Sequence, residues 1–192
     1  MRKKSHILLA RCIADQMKTA GELHDHRKAF CLGNILPDIK PSFFTEKHEF
    51  EETFGSIEEK MEDLTADWTE DWNERVYWRR LGEIIHYVAD YFTFPHNGTF
   101  EGNLRAHGQY ERVLSQNLKS YIKDGHAGVY METAVLFPKL QDLIAFIQTQ
   151  HQTYLCKKRC IQEDIEFILT TCYQAAQGLF ALLNGARPVP AY

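Results

Sequence analysis

Leu81-Gly82-Glu83-Ile84-Ile85-His86-Tyr87-Val88-Ala89-Asp90 is the stretch that decides how this chain folds. Leu81, Ile84, Ile85 and Val88 recur at three- and four-residue intervals, which is the period of an amphipathic helix and not of a strand. Residues four apart share a helical face, so His86 and Asp90 put an imidazole and a carboxylate together at the edge of the apolar stripe. Trp68, Trp72, Tyr77 and Trp78 lead into it. Beyond it comes Tyr91-Phe92-Thr93-Phe94-Pro95, where proline disfavours an unbroken helix, and a turn there would aim His96 back. Residues 103–122 predict a second helix, packed through Val113, Leu114 and Leu118 and closed near Gly125. It carries His107 and Glu111, again four apart. Two imidazole–carboxylate pairs around a third histidine suit zinc or a similar divalent transition metal.

Outward from this core the pattern stays helical. Ser5 is placed to cap a helix containing Ile7, Leu8, Ile13 and Met17, with Gly21 as its end. A short helix over residues 28–36 should stop at Pro37, leaving Asp38 in a turn continued by Pro41. The acidic run 49–63 reads as a flanking surface helix or loop. Segments 130–149 and 156–183, rich in Leu, Ile, Phe and Ala, form the non-catalytic wall, and the chain departs from it at residues 185–190. The fold class is all-α: a compact multi-helix bundle, with residues 1–192 as a single domain large enough to bury a core without disulfide staples. Apolar content of 44% and aromatic content of 12% exclude broad disorder.

The formal net charge of -4 gives no broad handle for nucleic acid, so no stable nucleic-acid partner is expected. The basic start resembles the head of an export signal, but Arg11 and Asp15 interrupt its apolar run, which favours a cytoplasmic protein. No apolar run reaches the roughly 18 residues that a transmembrane helix requires, so membrane contact would be peripheral. Cys12, Cys31, Cys156, Cys160 and Cys172 are an odd, scattered set and read as reduced, mostly structural thiols. Neither a repeat nor a Gly-rich phosphate loop is visible, and no feature specifies an oligomeric state.

Ser5-His6-Ile7-Leu8-Leu9-Ala10, then Leu32-Gly33-Asn34-Ile35-Leu36-Pro37-Asp38, then His48-Glu49-Phe50 precede the two pairs. With His86 to Asp90, His96, and His107 to Glu111, this order resembles the zinc-dependent phospholipase C family, related in fold to the P1/S1-type nucleases. The first segment resembles that family's amino-terminal histidine helix, the second its Gly-x-x-x-Pro-Asp segment, and His48 its next histidine. The resemblance covers residues 5–111 and implies an all-α bundle of that type. It implies one metal site from Asp38, His48, His86 and Asp90, and a second from His96, His107 and Glu111. In the family a third site is shared by the equivalents of His6 and Asp90 and completed by the amine and carbonyl of an amino-terminal tryptophan. Here Met1 stands five residues before His6 instead, which makes the third zinc the weaker expectation.

The implied chemistry is metal-dependent hydrolysis of a phospholipid or small phosphodiester, with Asp38 as base or water orienter as well as ligand. A nuclease-like phosphodiesterase and a non-enzymatic metal-binding protein stand as alternatives. Phe43, Phe44, Tyr91 and Phe94 are candidates for a substrate-facing rim, against the ordinary reading of aromatic residues as core. Each helical pair alone could be a plain hydrogen-bonded pair, and Asp38 alone a turn cap. His24, His26, His126 and His151 lack such spacing and stay outside the site.

Overall fold

The computed structural model describes residues 1–17, 22–39, 48–66, 73–132, 135–157 and 160–186. Among them are seven α-helices: α1 (Lys3–Gln16), α2 (Glu22–Gly33), α3 (Phe50–Ala66), α4 (Glu74–Tyr91), α5 (Leu104–Lys123), α6 (Leu140–Leu155) and α7 (Ile161–Ala186). Short 3-10 turns at Pro37–Ile39, Phe94–His96 and His126–Met131 join them, and no strand occurs among the described residues.

The centre of the bundle is α4. Asn73 caps it by accepting from the Val76 amide at 3.2 Å, and from Leu81 to Tyr91 only Glu83 is not buried. Its polar residues His86 and Asp90 therefore point into protein, where each must find partners. Against α4 runs α2, so close that side chains are excluded at the crossing. A Cβ placed on Gly82 would stand 2.3 Å from the Phe30 carbonyl oxygen, and one on Gly33 2.0 Å from that of Arg79. On another side lies α7, whose Ile165, Ile168, Leu169, Cys172, Ala176, Leu179 and Leu183 are buried at helical spacing. Phe180 of α7 stacks on Trp78 of α4 at 5.3 Å. The starts of α1 and α5 lie close together at the surface, where the Arg2 guanidinium donates to the Gly108 carbonyl at 3.3 Å.

Some sequence expectations shift. Ser5 caps nothing: α1 starts at Lys3, and the Ser5 hydroxyl is buried inside the helix without a hydrogen bond. Expected over residues 28–36, α2 instead spans Glu22–Gly33, because Leu23 already lies on its buried face and the turn toward Pro37 begins at Asn34. The acidic run forms α3, with Phe54, Ile57, Met61 and Leu64 inward and the acids largely outward. In the wall, α6 ends at Leu155 and α7 begins at Ile161, and Cys156 and Cys160 are exposed where packed structural thiols were expected. As expected, α5 runs from its Asn103 cap to a close at Gly125, whose φ of 80° is left-handed and favours glycine. Gly21, Pro41, Trp68 and Trp72 lie outside the described residues.

Candidate metal centre

Five elements and the chain start converge beside α4. The site receives His6 from α1, Asp38 from the Pro37–Ile39 turn, His48 from just before α3, His86 and Asp90 from α4, His96 from the Phe94–His96 turn, and His107 and Glu111 from α5. At its middle is Asp90, fully buried on the inner face of α4. One of its carboxylate oxygens lies 3.1 Å from His48 Nδ1 and 3.3 Å from His86 Nε2. The other lies 3.3 Å from His6 Nε2 and contacts the Met1 amino group. His86 Nε2 is 3.2 Å from His48 Nδ1 and 3.8 Å from Asp38 Oδ1. A second knot forms where Glu111 Oε1 is 3.3 Å from both His96 Nε2 and His107 Nε2.

The tautomer of His86 follows from its far side. Nδ1 lies 2.8 Å from the Asn34 carbonyl oxygen, which can only accept, so Nδ1 carries the proton and Nε2 presents a lone pair to the site. Holding a ligating imidazole through a carbonyl on its other nitrogen is how metal sites orient their histidines. The close approach of α2 to α4 at Gly33 and Gly82 delivers that carbonyl.

Burial and charge set the protonation of the cluster. His6 is pushed down to about 3, first by burial and then by the neighbouring His86. Burial lowers His96 as well. Burial raises Asp38. For Asp90 burial acts upward, but His96, the Met1 ammonium, His6 and His86 outweigh it and hold the carboxyl well below its usual range. For Glu111 burial again acts upward, and hydrogen bonds from His107 and His96 with the Met1 ammonium outweigh it, keeping the acid ionised. The Met1 ammonium is disfavoured by burial, yet Asp90 and Glu111 raise its pKa.

The donors fit a divalent metal. Around a tetrahedral zinc with bonds of about 2.0–2.1 Å, ligand atoms stand about 3.3–3.4 Å apart; the contacts of Asp90, His48 and His86 and those of Glu111 with His96 and His107 are 3.1–3.3 Å, and Asp38 stands farther off, 3.8 Å from His86. His48, His86 and Asp90 form one group with ligand atoms within 4.8 Å of one another, as do His6, Asp38 and His86, and His96, His107 and Glu111. His6 is fully buried and makes no hydrogen bond at either ring nitrogen, although Nε2 lies beside Asp90. An imidazole so placed suits a metal ligand.

Thus all eight residues expected as ligands are brought together. Two further participants had no announcing signal. The Met1 amine lies 3.2 Å from Glu111 Oε1 and 3.2 Å from His96 Nε2 as well as against Asp90, a positive group among the acceptors of both knots. The Asn34 carbonyl is backbone, which residue chemistry cannot reveal. Tyr91 must be withdrawn from the substrate rim: it is fully buried, its hydroxyl shares a 3.0 Å hydrogen bond with Thr53, and Phe50 and Phe54 flank its ring. Phe94 stays beside His96, half-buried between Phe100 and Tyr110. Phe43 and Phe44 lie outside the described residues. His26 and His151 have other partners, Glu74 and Asn97.

A search of curated proteins and one of solved structures return no match. The sequence profile of the zinc-dependent phospholipase C family matches residues 5–161, more than half of the chain and a span that includes every one of the eight donor residues. The chain, all-α and with zinc-type donor groups at its centre, belongs to the zinc-dependent phospholipase C family.

Proposed function

We propose that this chain is a zinc-dependent phosphodiester hydrolase acting on a phospholipid or a small soluble phosphodiester. The observation that carries this reading is the convergence of imidazole and carboxylate donors, with ligand atoms within 4.8 Å of one another in each group, in two knots that share the neighbourhood of Asp90. One zinc site takes Asp38, His48, His86 and Asp90, and a second takes His96, His107 and Glu111. His6 and Asp90 offer donors for a third. Residues 1–192 act as one domain in this reading. The five unpaired cysteines suit a reducing, cytoplasmic setting. Contact with lipid is peripheral, and among the described residues no helix is long and apolar enough to cross a membrane.

Phosphodiester cleavage accumulates negative charge on the phosphoryl oxygens and on the departing alkoxide. When bound, zinc supplies Lewis acidity that offsets this charge and acidifies water. The chain's own part is geometric and protonic. Asn34 fixes the lone pair of His86 toward the site. The edge of the site is supplied by Asp38, and its 3.8 Å separation from His86 exceeds a direct hydrogen bond, which suits a carboxylate that orients a water and takes its proton. His107 is 30% exposed at its side chain, which suits the side from which a substrate would enter, and Phe100 contacts both its ring and that of Phe94.

Zinc-loaded protein is expected to hydrolyse an activated phosphodiester, and Asp38→Asn to lose about 100-fold or more in kcat, the span typical of a positioned base. Metal content is measured in the same variant. Loss of rate with metal retained assigns the base, parallel loss assigns a ligand, and full rate with full occupancy removes Asp38 from the chemistry. Short- and long-chain phosphatidylcholines, glycerophosphodiesters and single-stranded oligonucleotides then define the substrate class. Preference for oligonucleotides would replace the lipid reading by a nuclease. No turnover on any of them in fully loaded protein would leave a metal-binding protein without this activity.

A further inference from the structure

Asp164, three residues beyond the span that matches the family, is fully buried in the first turn of α7. A charged side chain in such a place needs dedicated donors, and this one gathers them from three other elements. Oδ2 accepts from the Phe94 amide at 3.1 Å and from the Tyr110 hydroxyl at 2.9 Å. Oδ1 accepts from the Tyr154 hydroxyl of α6 at 2.8 Å. Phe94 opens the 3-10 turn that carries His96, and amides at the start of such a turn have no partner within it. Tyr110 directly precedes Glu111 on α5 and lies three residues after His107, on the same side of the helix. A single oxygen of Asp164 is therefore bonded both to the turn that presents His96 and to the helix that presents His107 and Glu111. Of the eight donor residues, only these three depend on elements it holds directly.

We infer that Asp164 is a positioning residue for the His96, His107 and Glu111 metal site, locking the Phe94–His96 turn to α5 at the spacing the ion requires. This rests on the metal reading above. Asparagine can reproduce the lock: its carbonyl oxygen takes the place of Oδ2 for Phe94 and Tyr110, and its amide donates to the Tyr154 hydroxyl, which accepts. Alanine cannot. Removing an outer partner of a metal site weakens affinity by about 10–100-fold.

The test is a cobalt titration of the apo chain followed by visible absorption, with the signal of this site assigned as the part that disappears in His107→Ala. Asp164→Ala is expected to weaken cobalt at this site by about tenfold or more while the His48, His86 and Asp90 site changes by less than about twofold, and Asp164→Asn to recover most of the loss. Should Asp164→Ala fail to fold, Tyr110→Phe replaces it and is expected to weaken the same site alone by a smaller factor. A merely structural role would lower thermal stability and weaken both sites together, and that parallel loss, an unchanged site in a folded variant, or an asparagine variant as poor as alanine overturns the inference. Wild-type protein that takes up no cobalt overturns the metal reading itself and this inference with it.

Discussion

His6 is a fully buried imidazole with no hydrogen bond on either nitrogen, stacked on His86 at 3.9 Å. Such a group costs a folded protein about 1–3 kcal/mol in lost hydration. A residue selected for packing would not carry that penalty, whereas a metal ligand recovers it on binding. His6→Leu is therefore expected to leave the chelated chain as stable as wild type or more stable, by about 1 kcal/mol in urea unfolding, while lowering bound zinc. Loss of stability without any change in metal content would assign His6 to the core. The sequence made the residues of the site unequally legible. His86 with Asp90 and His107 with Glu111 announce themselves because an i, i+4 pair on one helix is a local feature. His6, Asp38 and His48 lie on three separate elements, and only the order of motifs along the chain joined them to the pairs. Asp164 and the Met1 amine gain their roles solely from where distant elements meet.

Among the helices, the crossing of α2 with α4 has the narrowest tolerance. Both helices approach through glycine, and the atoms that added Cβ groups would strike are backbone, which cannot rotate away. Gly82→Ala is expected to destabilise the metal-free chain by about 2–4 kcal/mol, despite the better helix propensity of alanine, because separation of the helices opens their packed face. It should also loosen the Asn34 carbonyl from His86 and so weaken metal at the His86 site. Gly55→Ala on α3 provides the control, since a Cβ there meets nothing within 4 Å, and it is expected to be neutral or slightly stabilising. Equal stability of the Gly82 variant and wild type would show that the crossing can relax. Helical periodicity foretold the existence of α4, whose apolar stripe is long, and the span of α5, although Val113, expected to pack, is exposed and only Leu114 and Leu118 are buried there. Periodicity was a poorer guide to α2 and to the wall, because the start of α2 depends on Leu23 finding a cavity and the break after Leu155 carries neither Pro nor Gly.

For the molecule as a whole, stability and metal occupancy are linked through protons. Burial holds His6 near about 3 and His151 near about 4, so the folded metal-free chain keeps both neutral while the unfolded chain binds protons at about 6.5. A depressed pKa gives stability that is fully present above the unfolded value and is lost as pH falls toward the folded one. Asp164 acts oppositely: burial raises it to about 6, so its protonation favours the folded state as pH drops from about 6 to about 4. Two imidazoles with larger shifts outweigh one carboxyl, and the chelated chain is expected to lose about 2–3 kcal/mol between pH 6.5 and 4.5. Zinc adds a second dependence, because an ion that binds only the folded state stabilises it by about 4 kcal/mol at a thousandfold excess over its Kd, and protons compete for the same donors. At pH 7 zinc should therefore raise Tm by about 10 °C over the chelated chain, given about 2–4 °C per kcal/mol for a protein of this length, and the gap should narrow steadily on acidification. Calorimetry of loaded and chelated protein across this pH range measures both. Coincident melting at pH 7 would mean that the buried donors around Asp90 gain nothing from zinc, and a gap that widened with acid would mean that the ion is held by groups other than these imidazoles and carboxylates.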